Sequence, residues 1–382
     1  EYGLGTTLVT KTVREGETIA VNRNALTAPT DFLASVDELQ AVFPQLEHVA
    51  LVVTWFGNDL RCGQCSIRPC VVDNEPIAYS DPWMVSGIAR HDAPEVSRFG
   101  GSAAYGGSPS DKTVVEAITE LRSRGIKVTL YPLIMMDVPA DNVLPDPYGG
   151  TGQPPYPWRG RVTAFPATGQ PGTADKTTAA RTQIEAFCGS AVPADFAPAE
   201  NTVSFGGAAS DWGYRRFILH FATLAEMAGG VDAFLVGAEL RGVTGLRDNT
   251  GAFPFVEALC DLAAEVRNIL RPSTKITYAA DWSEYFGHQP TDGSGDVCYH
   301  LDALWGHPAI DAVGIDNYMP LSDWRDADYQ GGNPDGFQTP YERAGLEAGI
   351  AGGEGYDWHY PSMSDRLTRN RAPITDGTHG KP

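Results

Sequence analysis

The sequence predicts an α/β fold, a TIM (β/α)8-type barrel with long insertions in its βα loops. Segments with the apolar spacing of helices alternate with near-continuous apolar runs, which are typical of buried parallel strands. Four of these runs end in carboxylates, as expected where strands deliver polar side chains to a barrel mouth. The 42 glycines and 28 prolines are spread through the connections, which indicates long ordered loops on one domain.

The predicted elements follow in a regular order. Residues 1–30 form a β lead-in, because Thr and Val alternate there, and residues 31–382 form the barrel domain. Helices are predicted at 35–43, from an N-cap at 108 to 125, and at 174–187, 214–227, 253–270 and 300–305. Strands are predicted at 48–57, 126–137, 231–239, 275–282 and 310–318, with a weaker one at 83–88. No comparable run follows residue 320, so we expect the last barrel strands to lie outside this chain.

The charge balance restricts the partners. With 48 acidic and 28 basic residues the net charge is −20, which disfavours binding to nucleic acid or to anionic membranes. The sequence has no apolar run of about 18 residues, no Walker loop, no dinucleotide fingerprint and no serine nucleophile elbow. We therefore expect no cofactor, and a neutral or cationic partner.

Glu239 is the main catalytic candidate. It ends the apolar run that begins at Val231, and burial beside Leu235 would raise the pKa of its carboxyl group, as a general acid requires. Arg241 would oppose that increase if it pointed inward. The alternative is an ion pair of Glu239 with Arg241 or Arg247 that closes the end of the barrel.

Other polar and aromatic side chains at strand ends predict a substrate cleft. Glycoside cleavage requires an acid, a second carboxylate, and ring faces that contact sugar C–H groups. Individually, strand-end acids can instead cap helices or hold loops, and an aromatic ring there is as consistent with core packing as with sugar binding. The Pro-rich excursion at 138–171 is either a cleft wall or a lid or protein-contact surface. The substrate-binding candidates are Trp55, Asp137, Asp281, Trp282, Glu284, Asp316 and Tyr318.

Three of the six cysteines, Cys62, Cys65 and Cys70, are clustered. They are interpreted as reduced structural thiols or as one local disulfide. The alternative is a thiolate metal corner that supports metal-assisted hydrolysis, but no fourth ligand is evident. No metal site is assigned.

Five motifs carry a resemblance to a known family: WFGNDLRCG (55–63), PDPYGG (145–150), GAELRG (237–242), AADWSEYFGH (279–288) and VGIDNYMPLSDW (313–324). Together they resemble the TIM-barrel-like, glycoside-hydrolase-like domain of the large tail-tip protein of gene transfer agents and related phage tails. The chain is also similar to retaining barrel glycosidases with an acid/base after strand four and a nucleophile after strand seven. Glu239 matches the first position, while Ala238 stands where those enzymes carry a sugar-binding asparagine. The nucleophile is expected beyond Pro382.

The resemblance implies a retaining glycoside hydrolase that acts on a bacterial envelope polysaccharide or peptidoglycan. Its expected location is the tail tip of a virion-like particle that is assembled in the cytoplasm and acts at the recipient cell envelope. Other tail-tip or baseplate proteins are the expected partners, and a homotrimer is one option. The alternative is a non-catalytic carbohydrate-binding or structural barrel.

Overall fold

The computed structural model describes residues 1–285, 287–290, 292–318, 320–351 and 358–374. Two compact units are present, Glu1–Asp316 and Asn317–Pro382. Two residues of the resemblance motifs, Phe286 and Met319, lie outside the described residues. Within the described ranges, no helix has the length and apolar character needed to cross a membrane.

The strands of the first unit include a central set and several short pairs. They are β1 (Thr10–Arg14), β2 (Glu17–Ala20), β3 (His48–Gly57), β4 (Ile67–Arg68), β5 (Met84–Val85), β6 (Ile88–Ala89), β7 (Arg98–Phe99), β8 (Ser102–Ala103), β9 (Lys127–Met136), β10 (Phe196–Ala199), β11 (Thr202–Phe205), β12 (Ala233–Ala238), β13 (Lys275–Asp281) and β14 (Gly314–Asp316). The second unit contributes β15 (Trp358–His359) and β16 (Ala372–Pro373).

Helices precede most of the central strands, as the helix-then-strand pattern predicts. The helices of the first unit are α1 (Asp31–Val42), α2 (Asp111–Ser123), α3 (Thr178–Cys188), α4 (Tyr214–Met227), α5 (Arg241–Thr244), α6 (Pro254–Ile269) and α7 (Asp302–Trp305). Those of the second unit are α8 (Asp328–Gly331), α9 (Arg343–Ala351) and α10 (Met363–Thr368).

The central sheet makes this an α/β fold. Its order is β14-β13-β12-β9-β3-β4, with β4 antiparallel to β3 and the other five strands parallel. Because the carboxyl ends of parallel strands share one edge of a sheet, the residues that follow them gather there. The prediction that Asp137, Glu239, Asp281 and Asp316 end neighbouring parallel strands is confirmed.

The sheet is strongly curved. Tyr131 of β9 donates a hydrogen bond to Asp316 at the end of β14, although β12 and β13 lie between these two strands. In a flat sheet three strand spacings would separate the backbones by about 14 Å, well beyond the reach of both side chains. The concave face therefore brings the middle of β9 close to the end of β14. The sheet formed by the described strands does not close on itself.

The main hydrophobic core lies between the sheet and the helices. Most side chains of helix α4 are buried. On the side that faces the sheet, Phe217 and Phe221 pack against Trp55 of β3. A small separate cluster, Leu235 and Ala238 of β12 with Ala279 of β13, has Tyr131 packed against it. Helix α4 thus covers one face of the sheet, and the carboxylates at the strand ends are reached from the other face.

Two details of the sequence prediction were wrong. The helix predicted to be capped by the serine at 108 begins at Asp111, and its N-cap is Ser110, whose hydroxyl accepts a hydrogen bond from Thr113 N at 3.3 Å. The weak strand at 83–88 is the separate hairpin of β5 and β6. Consequently Glu239 follows the third parallel strand of the described sheet. The antiparallel lead-in is confirmed as the β1–β2 pair.

Candidate active site

Glu239 lies directly after β12 in an unusual backbone conformation. Its φ of +52° is in the left-handed region, which residues other than glycine seldom adopt, and its side chain is buried. Two hydrogen bonds hold this turn: Glu239 N donates to Ala279 O at 2.8 Å, and Leu240 N donates to the Tyr278 hydroxyl at 2.7 Å. Such strain is commonly retained at functional sites, because the surrounding structure supports it.

Gly237 allows the strand end to pack closely. A Cβ atom at this position would lie 2.1 Å from the Tyr214 hydroxyl oxygen. That hydroxyl is fixed, since it donates a hydrogen bond of 2.6 Å to the Val236 carbonyl. The close contact between Gly237 and Tyr214 therefore fixes the end of β12 and the position of Glu239 after it.

The two oxygens of the Glu239 carboxyl group have different surroundings. Oε2 accepts a hydrogen bond from Trp158 Nε1 at 2.7 Å and pairs with Arg159 Nη2 at 2.8 Å. Oε1 is buried and accepts no hydrogen bond from a donor among the described residues. When the Glu239 carboxyl group is protonated, it can hydrogen-bond to the neighbouring Asp316 carboxylate. Since Oε2 already accepts from two N–H groups, a proton on this carboxyl group would reside on Oε1.

The pKa of Glu239 is raised above its ordinary value. Burial of the carboxyl group is the largest cause, and the negative charge of nearby Asp316 and its hydrogen bond with the protonated Glu239 carboxyl group add to it. The hydrogen bond from Trp158 and the charge of Arg159 act in the opposite direction but do not cancel the increase. Glu239 therefore holds its proton to a higher pH than an exposed glutamate.

The expected ion pair is formed by a different arginine. Arg241 Nη1 donates to Ser283 Oγ at 3.0 Å, and Arg247 pairs with Asp175 and Asp292. Arg159 pairs with Glu239 instead, and it also donates through Nε to the Ala238 carbonyl at 3.1 Å. The alternative that named Arg241 or Arg247 as the partner of Glu239 was therefore wrong.

Trp158 and Arg159 were missed as site residues. They belong to the Pro-rich excursion at 138–171, whose composition does not indicate where it folds. A Trp-Arg pair was the available signal, because indole and guanidinium groups both donate hydrogen bonds to carboxylates. The structure brings this part of the excursion onto Glu239, a position that is consistent with either a cleft wall or a lid.

Asp316 is the second acidic side chain at the centre of the site. It accepts a hydrogen bond from the Tyr131 hydroxyl, and burial together with this interaction raises the pKa of Tyr131. Its negative charge in turn favours the protonated form of Glu239. The two carboxyl groups and Tyr131 form one electrostatically linked group on the concave face.

Glu284 is buried behind the site rather than open to a substrate. Its carboxylate accepts hydrogen bonds from the hydroxyl groups of Thr244 and Tyr278 and, at 3.1 Å, from Asp281 N. Burial raises its pKa to about 7 despite these donors. Asp281 accepts hydrogen bonds from the backbone and side chain of Ser283. Both acids therefore hold the two loops that follow β12 and β13.

The remaining candidates are dispersed. Trp55 is fully buried in the core, where its ring contacts Trp212 and His220, so it has no face open to a sugar and the expectation is corrected. Asp137 accepts hydrogen bonds from Ser97 and lines a separate cavity of about 270 Å³. Trp282 is 39% exposed beside Asp281. Tyr318 is exposed and belongs to the second unit.

The clustered cysteines are free thiols that lie in the interior. Burial is the main cause of a raised pKa for Cys62, and it raises the pKa of Cys65 and of Cys70 to about 12. A thiol with such a pKa stays protonated near neutral pH, and the thiolate is the form that binds metals. Within the described ranges, no group of three or more His, Cys, Asp or Glu side chains is arranged to hold a metal ion.

Comparison with known families supports the resemblance for part of the chain. Residues 212–382 match the family model of the GTA TIM-barrel-like domain, where GTA denotes gene transfer agent. This segment includes β12, β13 and β14, and with them Glu239, Glu284 and Asp316. No curated protein matches the chain.

Two solved structures of GH113 mannanases have a distant likeness to this chain. One is a GH113 beta-1,4-mannanase, with 16% identity, a TM-score of 0.37, and coverage of 76% of this chain and 58% of that chain. The other is the GH113 beta-mannanase AaManA from Alicyclobacillus acidocaldarius, with 17% identity, a TM-score of 0.34, and coverage of 78% and 58%. This chain thus spans less than two thirds of their length, and likeness at this level supports no functional conclusion.

Proposed function

We propose that this chain, whose residues 212–382 match the GTA TIM-barrel-like domain, is a glycoside hydrolase in which Glu239 is the acid/base. The curved α/β sheet is proposed to be part of a TIM-type barrel, because its carboxyl edge carries the acids and its concave face brings β9 and β14 together. The proposed substrate is a glycan of a bacterial cell envelope, either a polysaccharide or peptidoglycan.

The buried Oε1 of Glu239, which accepts no hydrogen bond from a described donor, is the observation that supports the proposal. A proton on Oε1 passes to the glycosidic oxygen as the bond between that oxygen and the anomeric carbon breaks and the anomeric carbon bonds to the nucleophile. Water then displaces the nucleophile and supplies the hydroxyl group of the new reducing end. Oε2 stays hydrogen-bonded to Trp158 and Arg159, which stabilise the carboxylate that remains. The raised pKa keeps the acid protonated before the reaction, and the two donors limit that increase so that the proton can leave.

Asp316 is proposed to tune this acid rather than to attack the sugar. Its charge raises the pKa of Glu239, so the two carboxyl groups share one proton more readily than they share two negative charges. Retaining enzymes place their second carboxyl group about 5 Å from the acid. No described residue is assigned as the nucleophile of the retaining mechanism.

The test compares Glu239→Gln with the wild type on two kinds of glycoside. Glutamine keeps the shape of the side chain but cannot donate the proton, so cleavage of a glycan with a poor leaving group should fall by about 10²–10⁴. A dinitrophenyl glycoside of the same sugar needs little protonation, so its bond-breaking step should be much less affected. The matched control is Glu257→Gln, which changes an exposed acid on α6.

An equal loss of activity on both kinds of glycoside would indicate a structural role for Glu239. Unchanged release of sugars from envelope glycan would remove Glu239 from the mechanism.

One observation favours a second candidate function, a non-catalytic carbohydrate-binding barrel. The Arg159 contact holds the ionised form of Glu239, and an ion pair of this kind can serve purely to fix a binding surface. Ala238, where related enzymes carry a sugar-binding asparagine, points the same way. Under this candidate the wild type binds envelope glycan but releases no reducing sugar, and Glu239→Gln weakens that binding because it removes the ion pair with Arg159.

The proposed location is the tail tip of a virion-like particle, next to other tail-tip or baseplate proteins. The matched family supports this proposal, and the net charge of −20 fits a surface that does not bind nucleic acid. Antibody labelling of purified particles should mark one end of the tail. Sedimentation of the isolated protein separates a monomer from a homotrimer.

A further inference from the structure

A second cavity adjoins the Glu239 site. It has a volume of about 260 Å³, several times the space that one water molecule occupies. We call it the arginine pocket, and its polar and aromatic walls are Tyr148, Trp158, Arg161, Arg241 and His288. Trp158 joins the two sites, because its Nε1 donates to Glu239 while its ring forms one wall of the pocket.

Glycines allow the walls of the arginine pocket to approach each other. A Cβ atom on Gly160 would lie 2.4 Å from the Trp158 ring, and one on Gly242 would lie 2.3 Å from the Val162 carbonyl oxygen. Gly245 lies under the His288 ring, with 3.0 Å from an added Cβ atom to the imidazole. The short helix α5 and the turn at Arg159–Arg161 therefore pack closely enough to fix the pocket's floor.

The pocket is positively charged in a strongly acidic protein. None of its lining residues is acidic, and neither Arg161 nor Arg241 forms an ion pair with any carboxylate in the described parts of the chain. The Arg161 guanidinium lies 4.7 Å from the centre of the Tyr148 ring, and Arg241 donates to Ser283. Two guanidinium groups without acidic partners, in a cavity without acidic lining residues, give this site a positive charge although the net charge of the chain is −20.

His288 adds a directional group to the same wall. Its pKa is lowered, first by burial and then by the charges of Arg247 and Arg241, so its ring is neutral at pH 7. Its Nε2 atom is buried and has no hydrogen-bond partner among the described residues. A neutral imidazole with the proton on Nε2 can donate one hydrogen bond without adding charge.

We propose that the arginine pocket binds an anionic group of the glycan, a carboxylate or a phosphate, on a sugar unit next to the bond that Glu239 cleaves. The guanidinium groups of Arg161 and Arg241 would pair with the anion, and the Tyr148 and Trp158 rings would contact the sugar. This inference rests on the proposed function for the position of the sugar, and it narrows the substrate class to acidic glycans.

The experiment measures binding to the full chain by calorimetry, in the wild type and in the Glu239→Gln background, which prevents turnover. The carboxylate probe is hexagalacturonate, compared with its carboxyl-reduced, neutral counterpart. The phosphate probe is mannose 6-phosphate, compared with mannose. At least one acidic probe should bind more tightly than its neutral counterpart, and this preference should weaken as the salt concentration rises.

Variants test whether the pocket causes the preference. Arg161→Gln and Arg241→Gln should each weaken binding of the acidic probe about tenfold, as expected for the loss of a charged hydrogen bond, and leave the neutral probe unchanged. Arg161→Lys and Arg241→Lys should retain part of the affinity, which excludes a folding defect. The matched control is Arg14→Gln, an exposed arginine on β1.

Each outcome has a defined meaning. A preference for either acidic probe that depends on the two arginines supports the proposal and identifies the source of the charge. Equal binding of acidic and neutral probes, or no effect of the arginine variants, overturns it. If arginine-dependent binding is present but the wild type cleaves no envelope glycan, the proposed hydrolase function fails while the anion site stands.

Discussion

Glu284 offers a direct test of how burial controls charge at this site. Its carboxyl group is 1% exposed and has a pKa of about 7, compared with an ordinary value of 4.5. The substitution Glu284→Gln imitates the protonated form. The amide oxygen can accept from Asp281 N, and the amide nitrogen can donate to the hydroxyl groups of Thr244 and Tyr278, which also act as acceptors.

The magnitude follows from linkage between proton binding and folding. The folded state holds the Glu284 proton more tightly than the unfolded chain, so this group stabilises the fold fully below pH 4.5. That stabilisation is lost as the pH rises to about 7. At about 1.4 kcal/mol for each pKa unit, the loss amounts to about 3 kcal/mol. The Gln variant has no proton to lose at this position, so it should not show this loss.

The assay is guanidinium unfolding of the wild type and Glu284→Gln at a series of pH values from 4 to 9. The difference in the free energy of unfolding should move by about 3 kcal/mol in favour of the variant between pH 4.5 and 7, and stay constant above pH 8. Glu257→Gln, which changes an exposed acid on α6, is the control. Parallel pH curves for the wild type and Glu284→Gln would show that folding does not change the proton affinity of Glu284.

Two further predictions concern the Glu239 turn. Trp158→Phe removes a hydrogen bond worth about 1.5 kcal/mol to the ionised carboxyl group, so the pKa of Glu239 rises and the alkaline limb of the pH–rate profile should move up by about one pH unit. Trp324→Phe, in the second unit, is the control, and an unmoved limb would contradict the assignment of Glu239 as the acid. Gly237→Ala forces a methyl group against the Tyr214 hydroxyl and should lower the stability by about 1–3 kcal/mol, seen as a lower Tm. Gly106→Ala, which meets open space, should leave the Tm unchanged, and an equal Tm for both variants would show that the β12 end relaxes freely.

The sequence was most informative where side chains follow a regular period. The predicted strand at 48–57 coincides with β3, and the predicted helix at 214–227 coincides with α4, because a buried element requires a continuous apolar pattern. The short segment at 83–88 has the same composition as a sheet strand but pairs only with itself. The residues of a short segment do not show which strand it pairs with. Whether the segment joins the central sheet or forms a separate hairpin therefore depends on the rest of the fold.

The residues of the candidate site likewise differ in whether local sequence predicts their position or the rest of the fold decides it. Glu239 could be identified from its sequence neighbours, since an acid that ends a buried strand has to face the open edge of the sheet. Trp55 was expected at a strand end, but it lies two residues before the end of β3 and its side chain packs against helix α4. Successive side chains of a strand face opposite sides of the sheet, so the face that Trp55 occupies depends on the register of β3. Which arginine pairs with Glu239 was not predictable, because Arg159 comes from a loop eighty residues earlier.

The α/β alternation and the strand-end position of Glu239 could therefore be predicted from the sequence, because both depend on the local order of apolar and polar residues. The proton affinity of Glu239, the burial of Glu284 and the charge of the arginine pocket depend on the folded structure. These properties arise from side chains that are distant in sequence and meet through the curvature of the sheet and the path of the loop at 138–171. Electrostatic effects depend on such distances and on burial, and neither is encoded by spacing along the chain.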